Sequence, residues 1–179
     1  MKRKTLMKLL GATIALSGCS SQAQQLPPQS AQPPVPTTAA EPVKRVSDGD
    51  SLVLRSGVKV RLCGIDAPEK SQPLGEESKR ALQQWIDRGK GKVTVQPIEQ
   101  DRYGRTVAEV WINAPGTKSE LVNSGMAANG MAYHYEQHSS SCPNRSAIVS
   151  AESEAQKAKM GVWASSQERP WDYRRDKAN

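Results

Sequence analysis

Between residues 48 and 69 the chain gathers four acidic side chains, with Arg61 among them. SDGDS carries Asp48 and Asp50, and VRLCGIDAPEK carries Arg61, Asp66 and Glu69. Ionised carboxylates accept hydrogen bonds only, and their oxygens suit a hard divalent cation. Asp50 and Asp66 are the candidate direct ligands of such an ion, provided that the first and third strands pack against each other. Asp48 stands before Gly49, so it serves equally well to cap a tight turn or to add negative charge behind a cation. Arg61 alternates in phase along VKVRL, and Arg105 closes the turn DRYGR. A guanidinium makes two parallel hydrogen bonds to an anionic oxygen pair, a geometry that lysine cannot copy. The pair His134 and His138 in HYEQH has zinc-like spacing, with Glu136 or Cys142 as a third ligand, but the following SSSCPN reads as a loop and no metalloenzyme helix signature is present. With no other histidine in the chain, histidine-based acid–base and serine–histidine chemistry is disfavoured.

These residues need a scaffold, and the pattern of the chain supplies one. VKRV before the DGD turn, Ser51 to Arg55 and Val58 to Ile65 read as three strands, the last two joined by Ser56-Gly57. EESKRALQQWIDRGKG places Ala81, Leu82, Trp85 and Ile86 on one helical face and ends at glycine. KVTVQPIEQ and RTVAEVWIN return to strand character around DRYGR. KSELVNSGMAANG and RSAIVSAESEAQKAKMG predict two further helices. Five short strands with about three helices predict an α+β fold: a five-stranded Greek-key barrel of the OB type over residues 42–165.

The remaining segments concern location. Residues 1–19 have a basic start, a short apolar run and small residues before Cys19, the order of a secretory signal. LSGC resembles a bacterial lipobox, which makes Cys19 the expected lipidation site; an ordinary cleaved signal with an incidental cysteine is the alternative. Residues 20–41 are rich in Pro, Gln, Ala and Ser and predict a tether reaching at most ~70 Å. The chain is then expected to be exported and held at the cell envelope by its lipid. Losing Lys2, Arg3, Lys4 and Lys8 lowers the formal charge by four, from +7 to +3, so affinity for a polyanion must come from locally placed Lys and Arg. In an oxidising compartment Cys63 and Cys142 are expected to form a disulfide rather than stay as two buried thiols. The tail, residues 166–179, carries Trp171 and Tyr173, which can pack back on the barrel.

SDGDS, RLCGIDAPEK and DRYGR, in this order and with a helix between the second and third, resemble the staphylococcal nuclease (thermonuclease) family from about Val43 to Trp163. The resemblance implies a calcium-dependent phosphodiesterase that cuts DNA and RNA with little sequence preference and acts as a monomer. It implies Ca²⁺ bound by Asp50, Asp66 and the backbone carbonyl of Ala67, a position where the family often has threonine. It further implies Glu69 as general base, Arg61 and Arg105 as clamps on the scissile phosphate, and Arg102, Tyr103 and Tyr133 as substrate contacts. Arg102 replaces a frequent lysine, and the repeated GMA of SGMAANGMAY leaves the register at Tyr133 open between a nucleotide contact and a core residue. The other class to weigh is a noncatalytic OB-type module that binds nucleic acid or protein. The simultaneous presence of Asp50, Arg61, Asp66, Glu69 and Arg105 favours the enzyme.

Overall fold

In the computed structural model the described residues are 39–114 and 116–178. The signal, Cys19 and nearly all of the tether lie outside them. Strands β1 (Glu41–Val46), β2 (Ser51–Leu54) and β3 (Lys59–Leu62) follow one another as antiparallel neighbours. A two-residue strand β4 (Ile65–Asp66) and helix α1 (Gly75–Arg88) come next. Strands β5 (Lys92–Gln100) and β6 (Thr106–Ile112) form the second hairpin, followed by the short β7 (Glu120–Leu121). The rest is helical apart from β8 (Tyr133–His134): α2 (Val122–Ala128), α3 (Arg145–Lys157) and α4 (Pro170–Ala178). No helix among the described residues is long and apolar enough to cross a membrane.

The strand order β3-β2-β1-β5-β6 closes on itself because β3 also pairs with β6, in parallel, with Val60 opposite Thr106 and Arg61 opposite Val107. The result is a closed five-stranded barrel with helices, the expected OB-type α+β fold. Closure removes the exposed sheet edges that an open sheet of this size would present. Its interior is filled by Leu52, Leu54, Val60, Leu62, Val93 and Val110. Helix α1 covers one opening with Ser78, Leu82 and Ile86, buried residues spaced four apart along one face.

Two features differ from the sequence reading. The third strand does not run unbroken to Ile65: it stops at Leu62, turns at Cys63-Gly64 and resumes as β4, which leaves the barrel to pair with β8. Gly64 adopts φ +73°, which a side chain there would resist. The second difference is a fourth helix, α4, in the tail.

The Cys63-Gly64 turn is tied on several sides. Cys63 N–H donates to Ala108 O at 2.8 Å, and buried Asn123 Nδ2 donates to Cys63 O at 2.8 Å. Tyr135 N–H donates to Gly64 O at 2.9 Å. Cys63 is disulfide-bonded to Cys142, with Cα atoms 6.0 Å apart and a sequence separation of 79. Cys142 in turn precedes the start of α3, where buried Glu109 accepts from Asn144 N (2.6 Å) and Nδ2 (2.7 Å). We expect the C63S/C142S double variant to lose about 3–5 kcal/mol of stability, the usual size for a loop this long. Urea denaturation of both chains measures the difference, and a loss below about 1 kcal/mol contradicts a structural role for the bond.

Candidate active site

The β1–β2 turn brings the first acidic residues in. Ser47 N–H donates to Ser51 O, and Asp48 Oδ1 accepts from Asp50 N at 3.1 Å, so Asp48 does cap its turn. A Cβ on Gly49 would run into Ser78 Oγ and the Ala67 methyl, which is why only glycine fits between the two aspartates. Asp50 reaches the third strand through the β2–β3 pairing, not through contact of the first and third strands: its carbonyl accepts from Leu62 N at 2.8 Å.

Arg61 organises the carboxylates. Its Nη2 lies 2.8 Å from Asp66 Oδ1 and 3.2 Å from Asp50 Oδ2, while Nη1 donates to Leu62 O (2.9 Å) and Ile65 O (2.7 Å). One guanidinium therefore wraps the β3–β4 turn and joins the two aspartates. Asp50 also accepts from Ala67 N (2.7 Å) and Ser51 Oγ (3.0 Å). Asp66 is only 1% exposed. Burial raises its pKa and the charge of Asp50 adds to this, against the hydrogen bond from Arg174 and the charge of Arg61. Asp48 is pushed up to about 6, first by burial and then by the charge of Asp50.

Glu69 follows on the loop between β4 and α1. Its N–H donates to Gln72 Oε1 at 2.9 Å, its carbonyl accepts from Gln72 N at 2.8 Å, and its carboxylate accepts from Arg174 Nη1 at 2.7 Å. Arg174 lies on α4, where sequence reading assigned no function. It also donates from Nη2 to Asp66 Oδ2 at 2.8 Å and from Nη1 to Asp66 Oδ1 at 3.2 Å. Burial alone would lower the pKa of Arg174, but its bonds to Asp66 and Glu69 override that and raise it.

The remaining sequence candidates lie elsewhere or pack differently. Arg105 stands one residue before Thr106, the register partner of Val60, so the topology brings its turn beside the third strand. Its guanidinium, however, is engaged by Asp101 Oδ2 at 2.6 Å within the same turn. Burial opposes the ionised form of Asp101, yet N–H donors from Arg105 and Tyr103 hold its pKa below the usual carboxylate range. Tyr103 is exposed, with Arg102 and Arg105 against its ring at 5.0 and 5.7 Å. Tyr133, expected as a nucleotide contact, is 1% exposed. Its ring is packed edge-on against Trp163 and Trp171, with the Arg169 guanidinium 4.1 Å from its centre, so it is a core residue here. Of the two histidines, His134 Nε2 is hydrogen-bonded to Ser139 Oγ and Cys142 is consumed by the disulfide.

Does the acidic group suit a cation? No three His, Cys, Asp or Glu side chains among the described residues are gathered closely enough to cage an ion unaided. The donor set is instead two buried carboxylates beside the Ala67 backbone: Arg61 pairs with Asp50 and Asp66, Arg174 pairs with Asp66 and Glu69, and Asp48 lies next to Asp50. With all four acids ionised, two negative charges are left over. Burial is the main cause of the upward shifts of Asp48 and Asp66, and the charge of Asp50 adds to both. These oxygen donors suit one hard divalent ion completed by water or substrate oxygen, which Asp66 would hold beside the bonds its two oxygens accept from Arg61 and Arg174.

The shift of Asp48 also sets a pH dependence. An unfolded Asp titrates near 3.8 and the folded one near 6, so the folded chain binds the proton more tightly and stability falls as pH rises from about 4 to 6. Above pH 6 the ionised group costs on the order of 2–3 kcal/mol. In EDTA, Asp48→Asn is expected to stabilise the fold by about 2 kcal/mol at pH 8, with the gain fading below pH 5. Urea titrations across this range check it, and a variant less stable than its parent at pH 8 contradicts it.

A family model described as "Staphylococcal nuclease homologue" matches residues 59–165. The chain is 34% identical over 145 residues to the micrococcal nuclease of Shigella flexneri, covering 76% of this chain and 81% of that one. It is 36% identical over 145 residues to the protein ParB of Escherichia coli, covering 76% and 80%. The staphylococcal-like nuclease CAN1 of Arabidopsis thaliana is 32% identical over 142 residues, 79% of this chain but 41% of its own. The chain spans about a third of the length of other plant relatives that it matches. Family match, closed barrel and acidic cluster agree: this chain belongs to the staphylococcal nuclease family.

Proposed function

We propose that this protein is a calcium-dependent nuclease that hydrolyses phosphodiester bonds in DNA and RNA. The observation that carries the reading is the convergence of buried Asp50 and Asp66 on one guanidinium, Arg61, with Glu69 bonded into the same cluster and two negative charges uncompensated. The names of relatives as nucleases agree with it.

A phosphodiester is an anion, and its transition state gathers further charge on oxygen; catalysis therefore requires fixed positive groups where that charge develops. Asp50, Asp66 and the Ala67 carbonyl would hold the calcium ion, which when bound supplies positive charge beside the scissile phosphate and eases ionisation of water. Glu69 takes a proton from the attacking water as its oxygen bonds to phosphorus, and the bond from phosphorus to the leaving oxygen breaks. Arg61 is already placed among the carboxylates, and because its Nη hydrogens are taken by Leu62 O, Ile65 O, Asp50 and Asp66, it must give up a carboxylate contact to donate to the phosphate oxygens. Arg105 donates to the same oxygens from the turn before β6, and to do so it must share or leave Asp101. Arg102 and Tyr103, exposed on that turn, are suited to contact the polynucleotide backbone. Lipid attachment at Cys19 belongs to the same proposal: it would hold the barrel at the cell envelope, where nucleic acid from outside is met.

The test is digestion of plasmid DNA and of RNA by the purified protein with calcium and with a chelator. Both substrates are expected to be cut with calcium and neither with chelator. Glu69→Gln should lower the rate about 10²–10⁴-fold while substrate binding persists. Binding without any cleavage by the parent chain would favour the noncatalytic module, and unchanged turnover in the Glu69 variant would remove the assigned base.

A further inference from the structure

The family match ends at residue 165, yet the segment beyond it makes a concentrated set of contacts with the loop that carries Glu69. Gln72 Nε2 donates to Glu168 O at 3.1 Å, and the Ser71 and Tyr173 hydroxyls are hydrogen-bonded at 2.7 Å. Lys177 Nζ lies 3.4 Å from Ser71 Oγ. Arg174 completes the set by bridging Glu69 to both oxygens of Asp66. Helix α4 is itself anchored independently of the acids: Trp171 stacks flat on Tyr135 (2° between planes, 5.1 Å between centres), and Arg169 lies over Tyr133 and Trp163.

We propose that Arg174 is a positioning residue for hydrolysis, holding the Glu69 carboxylate at a fixed place relative to Asp66. This rests on the role proposed for Glu69 above. The physical need is plain. The Glu69 side chain is 38% exposed on a loop and faces the negative charge of Asp66, so by itself it would turn outward to water. A forked guanidinium removes that freedom because it bonds Asp66, which is buried and also held by Arg61, and Glu69 at once. A cation that merely filled the place of a metal would not need the Gln72, Ser71 and Tyr173 contacts. These hold the Ser71 and Gln72 side chains of the Glu69 loop and leave the ligand carboxylates alone. Trp171 and Arg174, three apart on one face of α4, divide the work between anchoring the helix and fixing the base.

The experiment uses the full chain and its R174Q and R174K variants, all with intact barrels. Hydrogen–deuterium exchange reads the loop without reference to activity, and steady-state cleavage of a short single-stranded DNA at saturating calcium reads its consequence. In R174Q, amides of residues 69–75 should exchange several-fold faster while barrel amides stay unchanged. The kcat should fall about 10–100-fold with KM within threefold, and R174K should recover part of the loss. Loop exchange and kcat unchanged in R174Q overturn the role. So does tighter calcium binding by R174Q with faster cleavage at low calcium, since Arg174 would then be blocking Asp66. Cleavage absent from the parent chain overturns the proposed function and this role with it, whereas equal cleavage by parent and variant overturns this role alone.

Discussion

Two buried carboxylates share one guanidinium at the heart of this protein, and much of the architecture serves to keep them there. Asp50 and Asp66 repel each other, and each resists burial as a charged group. Arg61 makes their approach tolerable, and because it also bonds the carbonyls of Leu62 and Ile65, the same side chain shapes the turn that delivers Asp66. Removing one partner of such a buried group strands the others, so the cluster is held as a unit rather than as separate pairs.

The barrel provides the rigidity that this electrostatic arrangement needs. Closure through the parallel β3–β6 pairing fixes Arg61 in register, and the disulfide, Asn123 and the Tyr135 amide pin the turn after it. Strand β4 leaves the barrel to pair with β8, carrying Asp66 toward the aromatic group on which α4 rests. Acidic site, base loop and tail helix thus meet at one end of the domain. The charge left over in this group is a natural driving force for taking up a divalent cation, since two guanidinium groups do not neutralise four carboxylates.

The legible part of the site was its contiguous part. Asp50, Arg61 and Asp66 were legible as a group from their motifs, although the β2–β3 pairing, and not the expected packing of the first strand on the third, brings Asp50 to the others; the barrel followed from five short strands with characteristic turns. The break in the third strand was hidden because Cys63 and Ile65 are as strand-like as their neighbours, and only Gly64 hints at a turn. Arg105 has a ready partner four residues earlier in Asp101, which a motif reading overlooks. Tyr133 was ambiguous by register and proved to be core. Arg174 could not be found by pattern: it meets Asp66 across 108 residues, from a tail where Arg175 stands beside it as an equal candidate. The one available signal was Trp171, an aromatic residue three positions earlier that needed a surface to cover.

Calcium titration by calorimetry addresses the central claim without relying on turnover. One calcium ion per chain is predicted to bind the parent protein, with binding lost in Asp50→Asn and in Asp66→Asn and retained when Asp172, which pairs with Arg175 on α4, is changed to Asn. Calcium binding of unaltered affinity in both the Asp50 and Asp66 variants would contradict the account.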